Sequence, residues 1–101
     1  MIEKLQSIED KYEELGRLLS DPEVLADQAQ YQKHAKAHSG LTEIVTVFRE
    51  FKEVQQAIED TKALLETEKD PEFQEMASLE LEELEEKLPK LEEKLKILLL
   101  P

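Results

Sequence analysis

Between residues 77 and 98 one stripe recurs at steps of four and three without a miss: Ala77, Leu81, Leu84, Leu88, Leu91, Leu95 and Leu98. That spacing averages the 3.5-residue period that keeps one side of a helix against a neighbouring helix. A helix with a single apolar stripe cannot bury it alone, so the chain must supply further helices. A helix over about 71–99 would extend roughly 40 Å at 1.5 Å rise per residue. Glu83 with Lys87, and Glu86 with Lys90, stand four apart in the order that favours ion pairing on an exposed face. Pro89 lies off the stripe, removes one backbone donor and crowds the preceding turn, which predicts a bend near residues 85–89.

This segment opens with Asp70-Pro71-Glu72, and the same signature occurs earlier as Asp21-Pro22-Glu23. An Asp at the N-cap accepts from free amides. Pro suits the first helical position, and Glu favours the positive end of the helix dipole. The two signatures divide the chain into three helical segments. In the first, about 2–19, Leu5, Ile8, Tyr12, Leu15 and Leu19 share a stripe, and Gly16 weakens the helix by roughly 1 kcal/mol relative to Ala. The middle segment, about 22–67, is weak at first, where Gln28, Gln30 and Gln32 dilute Val24, Leu25 and Tyr31. Beyond Ser39-Gly40 the stripe returns strongly as Leu41, Ile44, Phe48, Phe51, Val54, Ile58 and Leu65. No stretch alternates with the period of two that a strand requires. The expected fold is all-α: an antiparallel helical bundle or coiled coil of three long helices, the middle one kinked or broken near Ser39-Gly40.

Composition limits what such a bundle can do. The net charge is −12, and residues 51–101 carry most of the excess. Phosphate backbones are gripped by Lys and Arg that displace counterions, so sequence-specific nucleic-acid binding is not expected, whereas basic protein surfaces fit. Charged residues make up 38% and aromatics 5% of the chain, which suits a narrow seam rather than a thick core. Cysteine is absent, so disulfide and thiol chemistry are excluded. The opening Met1-Ile2-Glu3-Lys4 begins directly on an amphipathic pattern rather than on a signal peptide, and no apolar run is long enough to span a bilayer. A cytoplasmic location is expected.

Candidate chemistry is sparse. Glu82-Glu83, Glu85-Glu86 and Glu92-Glu93 are spaced as a solvated helix face, and a slim bundle offers no pocket in which a carboxylate pair could act as acid and base. His34 and His38 stand four apart, a spacing that binds zinc when a third ligand joins, but they lack the adjacent Glu of the zinc-protease pattern and read as two exposed histidines. Phe48, Phe51 and Phe73 fall on apolar stripes and read as core rather than as a partner patch; Tyr12 and Tyr31 read the same way, with hydroxyls reaching water. There is no Gly-rich phosphate loop and no nucleophile elbow. No catalytic, cofactor-binding or metal-binding residue is expected, and no partner-binding residue can be named from the pattern.

Three stretches carry a resemblance. They are Tyr12-Glu13-Glu14-Leu15-Gly16-Arg17-Leu18-Leu19-Ser20-Asp21-Pro22-Glu23-Val24, then Phe48-Arg49-Glu50-Phe51-Lys52-Glu53-Val54, and last Leu84-Glu85-Glu86-Lys87-Leu88 together with Leu95-Lys96-Ile97-Leu98-Leu99-Leu100-Pro101. Together they resemble the N-terminal domain of the bacterial class-I peptide chain release factors, type one, which recognise UAA and UAG. The resemblance implies a single helical domain over residues 1–101, a non-catalytic part of a factor that directs peptidyl-tRNA hydrolysis at a stop codon. The family's Gly-Gly-Gln motif is missing: Gly16 and Gly40 stand alone. Its Pro-any-Thr codon-reading motif is missing too, since no Pro is followed two residues later by Thr. The implied partner is the ribosome, near the stalk base of the large subunit, with a monomer or a weakly self-associating dimer in isolation. The rival reading from the residues alone is a free-standing acidic coiled-coil adaptor or chaperone-like helper.

Overall fold

A computed structural model describes residues 1–101 and contains only helices: α1 Ile2–Leu18, α2 Pro22–Leu25, α3 Gln28–Thr67 and α4 Pro71–Leu98. The all-helical expectation holds, with a different division of the middle segment. α3 passes through Ser39 and Gly40 without interruption, so the helix is not broken there. The break falls instead at Ala26-Asp27, where a four-residue helix ends and a 40-residue helix begins. Asp27 explains it. Its Oδ1 accepts from the Gln30 amide at 3.2 Å and its carbonyl accepts from Tyr31 N at 2.9 Å, which is the geometry of a second cap. One Ser-Gly pair costs on the order of 1 kcal/mol in propensity, too little to interrupt a long hydrogen-bonded ladder.

The chain forms two compact units, Met1–Thr46 and Val47–Pro101. In the first, α1 buries Leu5 and Leu15 and keeps Ile8, Tyr12 and Leu19 half-buried, as its stripe predicts. Glu9 is buried as well, a carboxylate that the apolar pattern does not announce; it accepts from Gln6 Nε2 at 3.1 Å. α1 meets the first part of α3 through Tyr12, whose ring stacks on His38 with centroids 4.0 Å apart and planes 15° from parallel. Thr42 Oγ1 lies 3.5 Å from the Tyr12 hydroxyl, and a Cβ placed on Gly16 would stand 3.6 Å from His38 Nε2. Rising numbers on α1 thus meet falling numbers on α3, so this pair is antiparallel. α1 closes with Ser20 N donating to Arg17 O and Asp21 N to Leu18 O, both at 3.1 Å, the tight bonds of a last turn. Asp21 then caps α2, with Oδ1 accepting from Glu23 N at 2.9 Å.

In the second unit, Val47, Phe48, Phe51, Val54, Ile58 and Thr61 are the buried positions of α3, and Ala77, Leu91 and Leu95 those of α4. Each large apolar side chain so buried contributes about 1.5–3 kcal/mol of transfer free energy. Thr61 fills the seam position between Ile58 and Leu65 that the apolar pattern leaves vacant. The remaining seam leucines of α4, Leu81, Leu84, Leu88 and Leu98, are half-buried. Asp70 caps α4, its Oδ2 accepting from Phe73 N at 3.1 Å, and Pro89 sits inside the unbroken helix. Two side-chain links tie α4 back to α3. Gln74 Nε2 donates to Leu65 O at 2.9 Å and to Glu68 O, supplying donors that the end of α3 lacks. Farther along, Lys87 Nζ reaches Glu50 Oε1 at 2.9 Å. Residues 65 and 50 meet 74 and 87 in reversed order, so this pair is antiparallel too.

Candidate partner-binding surfaces

The outer surface of α4 follows from its seam. With Ala77, Leu81 and Leu84 turned inward, Glu82, Glu83, Glu85 and Glu86 fall on the solvated side and are exposed. Glu86 pairs with Lys90 at 3.7 Å, as the spacing predicts, whereas Lys87 reaches across to Glu50 on α3. Lys96 and Glu92 add a further pair at 3.6 Å. These are exposed contacts of the kind that contribute at most a few tenths of a kcal/mol each. They leave the acidic face a field of charge with no enclosed pocket. The Glu14 carboxyl is moved from its ordinary titration range: a hydrogen bond from Arg17 lowers it, and that contact raises Arg17 in turn. Glu14 is fully exposed on α1, so this is a surface ion pair rather than a tuned catalytic acid.

His34 and His38 are half-buried rather than exposed, and His38 is occupied by its stack on Tyr12. No group of three or more His, Cys, Asp or Glu side chains is placed to hold a metal ion. Phe48 and Phe51 are core, as expected, and Phe73 is half-buried at the start of α4. Tyr31 departs from its expectation. It is 38% exposed, because residues 28–33 at the start of α3 are exposed without exception and offer it nothing to pack on. No helix is long and apolar enough to cross a membrane.

Two concave features emerge in the second unit that no sequence motif marked. One is an open groove of about 550 Å³ in which Lys52, Gln55, Glu59 and Lys62 of α3 face Leu88 of α4. Lys52 Nζ also lies 4.5 Å from the centre of the Phe48 ring, a cation–π distance. The other is a shallow hollow of about 260 Å³ on α4 formed by Glu72, Glu75, Met76 and Leu79. The available signal for the second was the position of Met76 and Leu79, which are apolar yet fall off the leucine seam.

A helical scaffold with an acidic outer face fits many roles. Comparison with known proteins narrows the choice, because residues 8–101 match the PCRF domain. The chain belongs to the PCRF domain family. Its similarity to individual members extends over its whole length. It is 58% identical to "Peptide chain release factor 1" of Desulfitobacterium hafniense, covering 100% of this chain and 28% of that protein. The same-named proteins of Syntrophomonas wolfei and Carboxydothermus hydrogenoformans are 54% and 50% identical, again over 100% of this chain and 28% of theirs. This PCRF chain therefore spans a little over a quarter of the length of the curated relatives it matches. No solved structure matches it. The resemblance carried by the Leu-Leu-Ser-Asp-Pro-Glu-Val run and the leucine-rich close is borne out.

Proposed function

We propose that this PCRF chain is the non-catalytic N-terminal domain of a type-one peptide chain release factor, serving translation termination in the cytoplasm. The observation that carries the reading is the unbroken 58% identity across all 101 residues to a release factor 1. The residues agree with an auxiliary rather than a chemical role. No Gly-Gly-Gln is present, and the carboxylates of α4 are spread along a solvated helix rather than gathered in a pocket. On this reading the domain supports the factor's conformation and faces the stalk base of the large ribosomal subunit, and its charge of −12 suits a basic protein there. In isolation it is a monomer or a weak dimer. The antiparallel bundle as a whole, with a bend of the unbroken α3 at Ser39-Gly40, belongs to the same proposal.

A chimera tests it. The matching segment of a Desulfitobacterium hafniense release factor 1 is replaced by this chain, and peptide release is followed on ribosomes stalled at UAA, UAG and UGA. Release at UAA and UAG close to the parent rate, with none from the isolated domain, supports the reading. A chimera that folds but releases no peptide, or an isolated domain that does release peptide, would overturn it.

A further inference from the structure

The outward face of α4 changes character along its length. Near the N-terminal end it presents Met76, 61% exposed, and Leu79, 58% exposed; one and two turns farther on, the same face presents Glu83 and Glu86. Glu72, Glu75, Met76 and Leu79 follow the i, i+3, i+4, i+7 spacing, so they form one strip on the side away from Ala77 and the leucine seam. They also enclose the shallow hollow of about 260 Å³. Exposing two adjacent large apolar side chains on an otherwise acidic helix gives the fold nothing, since neither contributes to the buried core. Methionine is moreover a side chain that adapts its shape to whatever packs on it.

We propose that this strip is a docking site for a basic amphipathic helix of another protein, which sets an apolar residue between Met76 and Leu79 and its Lys or Arg side chains against Glu72 and Glu75. The choice of occupant rests on charge. The apolar pair is bordered on its own helix face by carboxylates, which disfavour a nucleic acid or an anionic lipid surface and favour a cationic partner. They equally disfavour a second copy of this chain, which would set strip against strip with like charges opposed. A helix is the partner element that reads such spacing, laying its own apolar face along i, i+3, i+4 and i+7 anchors. The inference uses the surface of α4 alone and does not depend on the termination reading.

The test uses the whole ¹⁵N-labelled chain and a synthetic Leu/Lys peptide of about 18 residues with leucines at helical spacing on one face. The control is a peptide of the same composition scrambled to have no apolar face. Titration of the amphipathic peptide should shift amide signals most strongly between residues 72 and 80. The double substitution M76Q/L79Q should weaken binding by about tenfold, as loss of two apolar contacts predicts. M76L/L79M should restore it. Both variants should melt like the parent, because the two side chains are exposed. Three outcomes would overturn the proposal: shifts spread evenly over residues 82–93, equal affinity for the scrambled peptide, or unchanged affinity of M76Q/L79Q.

Discussion

Asp21-Pro22-Glu23 and Asp70-Pro71-Glu72 are the same instruction written twice, and the chain obeys it differently each time. Both aspartates cap, at 2.9 Å to Glu23 N and 3.1 Å to Phe73 N, and both prolines occupy the start of a helix. Yet one start yields a helix of four residues and the other a helix of 28. The cap itself does not account for this, because both aspartates make the same kind of bond to a first-turn amide. What differs is the chain that follows. After Pro71, Phe73, Ala77, Leu81 and Leu84 keep returning to one side and find α3 there, so each new turn adds burial. After Pro22, Val24 is the buried residue of its helix, Leu25 is 57% exposed, and the next polar residue, Asp27, issues a new start signal. A capping signature therefore sets where a helix can begin, and the side-chain stripe sets how long it lasts.

The largest effect should come from removing the stripe where it is most deeply used. Leu95 is fully buried, so Leu95→Ala should cost about 3 kcal/mol in urea denaturation. Leu88 lies on the same stripe but opens onto the groove, and Leu88→Ala should cost about 1 kcal/mol. Val24→Ala, which empties the single buried position of α2, should fall between them at about 2 kcal/mol. Equal losses at Leu95 and Leu88 would mean that the seam is uniformly packed and that its half-buried middle is no weak point.

Next in size is the pair of caps. Asp70→Ala should lower stability by about 1 kcal/mol, because α4 folds together with the hairpin that it closes. Asp21→Ala should lower global stability by less than half as much and should instead speed amide exchange at residues 23–26, since so short a helix can open locally. If both substitutions lower the melting midpoint alike, α2 is as firmly coupled as α4 and the contrast between the two signatures disappears.

Legibility in the sequence follows the same division. The α4 seam, the α1 stripe and the strong half of α3 can all be read directly, because burial there repeats with the helical period. The end of α2 cannot, since Asp27 is an ordinary polar residue until its side chain is seen on the Gln30 amide. Buried Glu9 and Thr61 are invisible for a related reason: their places on the stripe are set by geometry, while their chemistry points outward. Ser39-Gly40 is the opposite case, a pair that would permit a break where α3 has none. Glycine lowers helix propensity, but a Cβ at Gly40 would meet nothing within 4 Å, and the helix simply continues. Gly40→Ala should therefore stabilise the chain by up to about 1 kcal/mol. Gly16→Ala should stabilise it too, by less, because Gly16 lies in the last turn of α1, while its new methyl group would meet His38 at ordinary contact distance. A melting temperature lowered by Gly40→Ala would show that the glycine is needed for a bend that alanine resists.

The smallest effect lies just ahead of the first signature, where α1 ends. Arg17 Nη2 stands 2.6 Å from Glu14 Oε1, and Arg17 also feels the charge of Asp21. The hydrogen bond from Arg17 holds the Glu14 carboxyl below the usual glutamate range, with the charges of Arg17 and Lys11 acting in the same direction. A carboxyl depressed in the folded state favours folding above its unfolded pKa, and that contribution disappears as pH falls through the lower, folded value. Because the pair is fully solvated, the consequence should be visible in titration rather than in melting. In an NMR pH series the Glu14 carboxyl should titrate below the usual glutamate range, and Arg17→Ala should move it up. A midpoint unchanged by Arg17→Ala would mean that solvent and salt already screen the contact. The end of α1 would then depend only on its backbone turn and on the cap that Asp21 forms beyond it.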